Sequence, residues 1–264
     1  MNVKIERHEP VLVVTLDRPE RRNAVDRPTA DALEAAFRDF DADDDLAVAV
    51  LTGAGGTFCA GADLQALHAD DGVRANRLER SQHAPMGPTR LPLAKPVVAA
   101  VEGHAVAGGL ELALWADLRI LAADAVLGVH CRRWGVPLID GGTVRLPRLI
   151  GQARALDLIL TGRAVDADEA LAIGLATRVV APGAARDAAV ALAHELAALP
   201  QTTLRADRAS ALAAFDRELP EALLAEHDGG MAAIDADGMA DVARFLAGEG
   251  RHGAPVRRPG PGSP

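Results

Sequence analysis

The sequence predicts an α/β fold in which a mostly parallel sheet carries helical cover and a helical region follows. Three observations lead there. Strand-like and helix-like segments alternate through the first part of the chain, which is the order of a parallel sheet with crossover helices. From Gly151 onward the pattern becomes mostly helical. The apolar content, 49% of 264 residues, is carried almost entirely by Ala, Val and Leu, with five Phe, two Trp and no Tyr. Small aliphatic side chains require backbones to pack closely, as layered α/β structures allow.

The elements follow from the changing hydrophobic period. Val11-Leu-Val-Val-Thr-Leu16 is a strand, stopped by Asp17-Arg-Pro19. Residues 29–40 are helical, with Leu33, Ala36, Phe37 and Phe40 on one face. Ala47-Val-Ala-Val-Leu51 is a buried strand between Asp-rich and Gly-rich punctuation, and residues 97–101 are another. A helix over 110–116 follows, then short strands at Leu118-Arg-Ile-Leu121 and Val126-Leu127. The later helical segments are 153–160, 167–171, 184–199 and 204–227. The end of the sequence, 251–264, is rich in Pro and Gly and is expected to be a disordered tail.

Bulk properties exclude some classes. The net charge is −9 and the basic residues are dispersed, which argues against a nucleic-acid partner. Two cysteines, Cys59 and Cys131, make neither a disulfide framework nor a metal-ligand spacing. With no clustered His, Asp or Glu set, no metal site is expected. No apolar run approaches membrane-spanning length and no leader pattern is visible, so the expected location is the cytoplasm, with no membrane partner.

The chemistry is concentrated in two glycine-rich bends. One is Gly53-Ala-Gly-Gly-Thr-Phe-Cys-Ala-Gly-Ala-Asp63. The other ends the run Lys95-Pro-Val-Val-Ala-Ala-Val-Glu-Gly-His-Ala-Val-Ala-Gly-Gly-Leu-Glu111. Two tight turns with convergent free N–H groups would form an oxyanion hole, and Glu111 would sit just inside the helix that follows. Such an arrangement suits chemistry next to a carbonyl. Read alone, the same glycines equally serve as structural turns.

Several further stretches share an order and spacing with these bends. They are Asp17-Arg-Pro19 with Asn23-Ala24, Phe58-Cys-Ala-Gly-Ala-Asp-Leu64, Ala107-Gly-Gly-Leu-Glu-Leu-Ala113 and Asp117-Leu-Arg-Ile120. Gly141-Gly-Thr-Val-Arg-Leu-Pro-Arg-Leu-Ile-Gly151 and Leu160-Thr-Gly-Arg-Ala-Val-Asp-Ala-Asp-Glu-Ala170 complete the set. Over about residues 5–200 the chain resembles the crotonase superfamily of enoyl-CoA hydratases and isomerases. The resemblance implies a spiral of repeated β-β-α units over 1–195, carrying an acyl-CoA site. It also implies a C-terminal helical region over 196–250 for trimerisation and site cover, and a homotrimer or a dimer of trimers. The substrate would be an acyl thioester of coenzyme A, which is then part of the substrate rather than a separate cofactor.

By the same resemblance the oxyanion hole uses the N–H groups of Ala62 and Gly108, with Gly109 supporting the turn beside the substrate. Glu111 matches the first of two hydratase glutamates, which hold a water and add it across the double bond. The second glutamate is absent, and its position falls on Cys131. A thiol with a reference pKa of about 8.5 is not an equivalent acid, so Cys131 is either a small buried filler or a weak proton carrier. His130 and Cys131 are read as an extended pair pointing in opposite directions, which sets His130 aside as its activator. Asp140, before Gly141-Gly142, looks like the aspartate of dienoyl-CoA isomerases. It is either the partner of Glu111 or an Asx-type cap on the turn.

Around this centre, Arg22 and Ala24 with Ala60, Asp63 and Leu64 would border the coenzyme A portion, with Arg244 as a further basic contact. Trp134 and Pro137 would border the acyl group, unless Arg132, Arg133 and Trp134 serve an interface. Three classes stay open. The first is a hydratase-like lyase using Glu111 with Asp140 or Cys131, which the segments resemble most. The second is an enoyl- or dienoyl-CoA isomerase, and the third a non-catalytic acyl-CoA-binding relative.

Overall fold

Strand β2 (Val11–Leu16) explains the layering, because every one of its side chains is buried. Alternate residues of a strand face opposite sides. Leu12, Val14 and Leu16 therefore enter one core while Val11 and Val13 enter a second. A computed structural model describes residues 2–69, 72–238 and 240–248. Strand β1 (Val3–His8) is an exposed edge, antiparallel to β2. The parallel strands β3 (Val48–Gly53), β4 (Val97–Val101), β6 (Leu118–Ala122) and β9 (Arg178–Val180) extend the sheet in the order β1-β2-β3-β4-β6-β9. The expected parallel sheet is present.

A second, smaller layer forms from β5 (His104–Val106), β7 (Val126–Gly128) and β8 (Ala164–Asp166), in the order β5-β7-β8. Isolated parallel bridges, Cys59 with Ala105 and Val25 with Ala62, continue it toward the start of the chain. Four strands of the main sheet thus feed a short extended piece in the second layer and then a helix. The successive units are β2, Val25 and α1 (Arg27–Ala42); β3, residues 59–62 and α2 (Leu64–Ala69); β4, β5 and α3 (Gly108–Trp115); and β6, β7 and α4 (Gly142–Ile150). This is the β-β-α spiral, and it stacks the bend at 59–62 beside the start of α3.

Local chemistry fixes the helices. Asp26 caps α1 by accepting the Thr29 N–H at 3.2 Å, with Pro28 in the first turn where no donor is needed. Lys95, 2% exposed, donates from Nζ to the carbonyls of Phe40 (2.9 Å) and Asp43 (2.6 Å), tying the end of α1 to the entry of β4. Helices α5 (Gln152–Thr161) and α6 (Ala167–Ala172) follow the spiral. Helix α7 (Ala185–Ala197) lays Ala185, Ala189, Leu192 and Ala193 on the far face of the main sheet, against Val11, Val50 and Val98.

Beyond α7 the continuous helix expected over 204–227 is divided. Helix α8 (Gln201–Ala213) ends in a 3-10 turn, Ala214–Asp216, and Arg217 is extended before α9 (Leu219–Ala233). Pro220 explains the break, since a proline fits the first turn of a helix but not its interior. A π-helical turn, Ile234–Gly238, precedes α10 (Ala240–Leu246). Leu212, Phe215, Leu219, Leu223 and Leu224 lie exposed on these last helices. Among the described residues no helix is long and apolar enough to cross a membrane. The tail, 251–264, lies outside the described residues.

Candidate active site

The two bends meet. After β3 the chain turns back, and Cys59 Sγ, fully buried, donates to the Asn23 carbonyl at 3.1 Å while accepting the Gly61 N–H at 3.4 Å. Burial pushes the Cys59 thiol up to about 12, so it remains neutral. Gly61 has φ +100°, and a Cβ there would lie 3.0 Å from both the Gly108 nitrogen and the Ala107 Cβ. Val25 then bonds to either side of Ala62, its N–H reaching Gly61 O (2.8 Å) and its carbonyl accepting from Asp63 N (2.9 Å). The Ala62 N–H is left without a protein partner among the described residues, and so is that of Gly108, the first residue of α3.

Ala107 reaches α3 through φ +54°, a conformation rare for a residue with a side chain. Its N–H is held by Gly128 O at 2.9 Å. Gly109, expected beside the substrate, is instead buried behind the turn, where a Cβ would collide with the Cys59 carbonyl. Its role is to let α3 press against the Cys59 bend. These backbones form one wall of a cavity of about 760 Å³ whose lining includes Ala62, Gly108, Glu111, Cys131 and Asp140.

Glu111 lies one helical turn inside α3 and is only 2% exposed. Its Oε1 accepts two backbone N–H groups, from Asp140 at 2.9 Å and Gly142 at 2.8 Å. Oε2 has no protein partner among the described residues. Burial, reinforced by the neighbouring Asp140 charge, pushes the carboxyl up to about 7, and the two amides only partly oppose this. Position 142 is tight, because a Cβ there would sit 3.0 Å from Glu111 Cγ and Oε1 and the carboxyl would have to give way.

Asp140 is not an Asx cap. The residue at the start of α4 is Gly141, with φ +98° and no side-chain bond. The Asp140 carboxylate turns away from that turn, accepting Met86 N–H at 3.0 Å and the Thr89 hydroxyl at 2.6 Å on Oδ1. Burial raises its pKa, against the pull of Thr89 and Met86 and of Arg90 and Arg145. Glu111 and Asp140 are therefore neighbours in one apolar-walled cavity, both displaced toward the protonated form.

Cys131 also lines the cavity, 7% exposed, and its thiol is pushed up by burial and by Glu111. The segment around it is not extended. His130–Trp134 is a 3-10 turn, so the alternation argument about His130 does not apply. The imidazole instead packs back on Gly128, where a Cβ would come within 2.6 Å of Nε2. Trp134 and Pro137 line the cavity, and Trp134 is 74% exposed.

The residues expected around coenzyme A divide. Ala60 and Leu64 line the cavity, and Ala60 N donates to Arg22 O at 3.0 Å, which places the exposed Arg22 beside that edge. Ala24 is held from behind, its carbonyl accepting from Arg18. Asp63 does not face a ligand. It is 3% exposed, pairs with Arg18 at 2.9 Å and caps α2 through Gln65 N and Ala66 N. Burial works to raise its pKa, but Arg18 and the amides hold it below the ordinary value. Arg244 lies on α10, half-buried and not on the cavity wall. Reading the sequence missed Met86, Thr89 and Arg145, whose roles depend on contacts between distant segments, whereas Gly61 lies within the glycine-rich bend that it singled out.

A spiral of β-β-α units whose central cavity joins two free backbone N–H groups to a buried glutamate defines the crotonase fold class. The chain belongs to the enoyl-CoA hydratase/isomerase family, whose model matches residues 6–241. It is 38% identical over 230 residues to (E)-benzylidenesuccinyl-CoA hydratase of Thauera aromatica, covering 86% of this chain and 88% of that protein. It is 41% identical over 197 residues to carnitinyl-CoA dehydratase of Salmonella arizonae, covering 74% of each. The crystal structure of an enoyl-CoA hydratase from Mycobacterium tuberculosis H37Rv superimposes with a TM-score of 0.87 at 33% identity, over 93% of this chain and 95% of that one.

Proposed function

We propose that the protein is an enoyl-CoA hydratase-like lyase that adds water across the 2,3 double bond of a trans-2-enoyl-CoA, using Glu111 and Asp140. The observation that carries this reading is the paired burial of the two carboxyls. Glu111 Oε1 is fixed by the amides of residues 140 and 142, while Asp140 is held by Met86 and Thr89. Burial raises both carboxyls, Glu111 to about 7 and Asp140 above its ordinary value, and two such groups facing one cavity can serve as one acid and one base.

In the step, the ionised carboxylate takes a proton from water as the water oxygen bonds to Cβ. The π electrons move to the thioester oxygen, where the N–H groups of Ala62 and Gly108 meet the developing charge. Collapse of that enolate takes a proton at Cα from the protonated carboxyl. No separate cofactor enters this balance. Ala60 and Leu64 border the pantetheine, Arg22 meets a phosphate, and Trp134 and Pro137 border the acyl group. The neutral Cys131 thiol acts as a wall. The exposed apolar side chains of the last helices suit burial in a homotrimer, alone or paired.

An isomerase reading competes on one observation, the aspartate at position 140, while the thiol at the place of a second glutamate counts against a two-carboxylate dienoyl pattern. The test follows the conjugated thioester absorbance of crotonyl-CoA and longer trans-2-enoyl-CoAs with wild type, Glu111→Gln and Asp140→Asn. Loss of absorbance with 3-hydroxyacyl-CoA as product, abolished in both variants, is the expected result. Tight acyl-CoA binding without turnover overturns hydration of these substrates and turns attention to 3-enoyl and dienoyl thioesters.

A further inference from the structure

Arg145, on the first turn of α4, makes no salt bridge among the described residues. Its guanidinium donates instead to two carbonyls, Asp140 O at 2.9 Å and Thr89 O at 2.6 Å. Thr89 is the residue whose hydroxyl holds the Asp140 carboxylate, and the N–H of Asp140 is one of the two that hold Glu111. One fork therefore closes a ring that runs from the 86–89 segment through residue 140 to α3. The chain makes room for it. At Gly141 a Cβ would overlap the Arg145 guanidinium.

From these contacts the geometry points to Arg145 as a positioning residue, a fixed cation that clamps the loop carrying Asp140 to the loop carrying Thr89 and so holds Glu111 and Asp140 in register. The inference rests on the reading of those two carboxyls as the reacting pair. The charged and titratable neighbours are few. Glu111 and Asp140 face the guanidinium, Arg148 follows on the same helix, Arg90 reaches Ile139 O from the other loop at 3.1 Å, and Cys131 stands beyond Glu111. Arg145 opposes the upward shift of both carboxyls. Arginine suits this place because a planar fork bridges two acceptors, whereas an ammonium supplies only a point charge.

The test compares wild type with Arg145→Gln and Arg145→Lys by carbon-13 carboxyl titration, assigned with Glu111→Gln and Asp140→Asn, and by the pH profile of kcat/KM. Arg145→Gln is expected to move both carboxyl titrations up by about one pH unit and to lower kcat at least tenfold with KM unchanged. Arg145→Lys is expected to leave the titrations in place yet lower kcat, because charge remains and register is lost. An unchanged kcat in a folded Arg145→Gln overturns the inference, whatever the titrations do. If that variant does not fold, an unchanged kcat in Arg145→Lys overturns it. A wild type that turns over no enoyl-CoA sinks the hydratase reading instead, and the clamp is then read from the backbone amide resonances of Asp140 and Gly142, which shift in both Arg145 variants if it holds and stay in place in both if it does not.

Discussion

The two walls of the cavity are built on different principles. The wall of Ala62 and Gly108 is backbone, braced from behind by strand pairing, by the fully buried Cys59 and by the Arg18–Asp63 ion pair. The opposite wall is side chains, Glu111 and Asp140, held by loop amides, one hydroxyl and one guanidinium. At Gly109 the backbone wall leaves no room for an added methyl, whereas the side-chain wall depends on hydrogen bonds between segments distant in sequence. Cys131 lies on the second wall.

The largest expected effect falls on the side-chain wall. Glu111→Gln keeps an oxygen for the two amides but removes the proton carrier, so kcat should fall by about 10²–10⁴-fold. The same substitution has a stability signature. The folded chain holds the Glu111 proton up to about pH 7, whereas the ordinary value is 4.5. Stability is therefore lost as pH rises between those values, by about 3 kcal/mol above pH 7. Thermal melts should show Glu111→Gln more stable than wild type at pH 8 and equal to it at pH 4. A variant no more stable at pH 8 would mean that Glu111 is not buried as a strained acid.

The backbone wall is broken next. Gly109→Ala drives a methyl into the Cys59 carbonyl, which belongs to the opposing turn and cannot yield. Both N–H donors should lose their aim, lowering kcat by about 10²–10³-fold. Gly108→Ala is the milder change, because its Cβ meets the Met86 side chain, 2.7 Å from Sδ, rather than a backbone carbonyl. Equal losses in the two variants would show that the turn is less rigid than its contacts imply.

The difference between the walls also decides how much of the site was legible in the sequence. The backbone wall announces itself through Gly53–Asp63 and Ala107-Gly108-Gly109, because close approach and positive φ restrict composition. The strands of the main sheet were legible for a similar reason, since burial on both faces leaves continuous apolar runs. Asp63 was misread because its partner Arg18 lies 45 residues away, and a carboxylate in a glycine-rich turn looks the same whether it meets a ligand or an ion pair. Thr89 and Arg145, 56 residues apart, had no local signature. The 3-10 turn at His130–Trp134 was hidden behind residues that suit several conformations.

A smaller effect sharpens the side-chain wall. Thr89→Val is nearly isosteric and removes the 2.6 Å donor to Asp140 while leaving the Met86 N–H. A hydrogen bond to a charged acceptor contributes about 1.5–3 kcal/mol, so activity should fall by about tenfold or more. With less support for its ionised form, Asp140 should hold its proton to higher pH, and the acid limb of the kcat/KM profile should move up. An unmoved limb would take Asp140 out of the proton transfer.

Cys131 gives the smallest expected effect and tests the division most directly. Burial and the Glu111 charge both push its thiol up, so it is neutral wherever the carboxyl pair works. A neutral thiol beside an ionisable glutamate contributes volume and little else. Cys131→Ala should change kcat/KM by no more than about threefold, equivalent to about 0.6 kcal/mol, and should leave both limbs of the pH profile in place. Cys131→Glu places a third carboxyl against Glu111, and like charges raise each other's pKa. The alkaline limb should then shift to higher pH even if turnover improves. A large loss in Cys131→Ala, with the alkaline limb abolished, would make the thiol the acid and leave Asp140 as the brace of the loop.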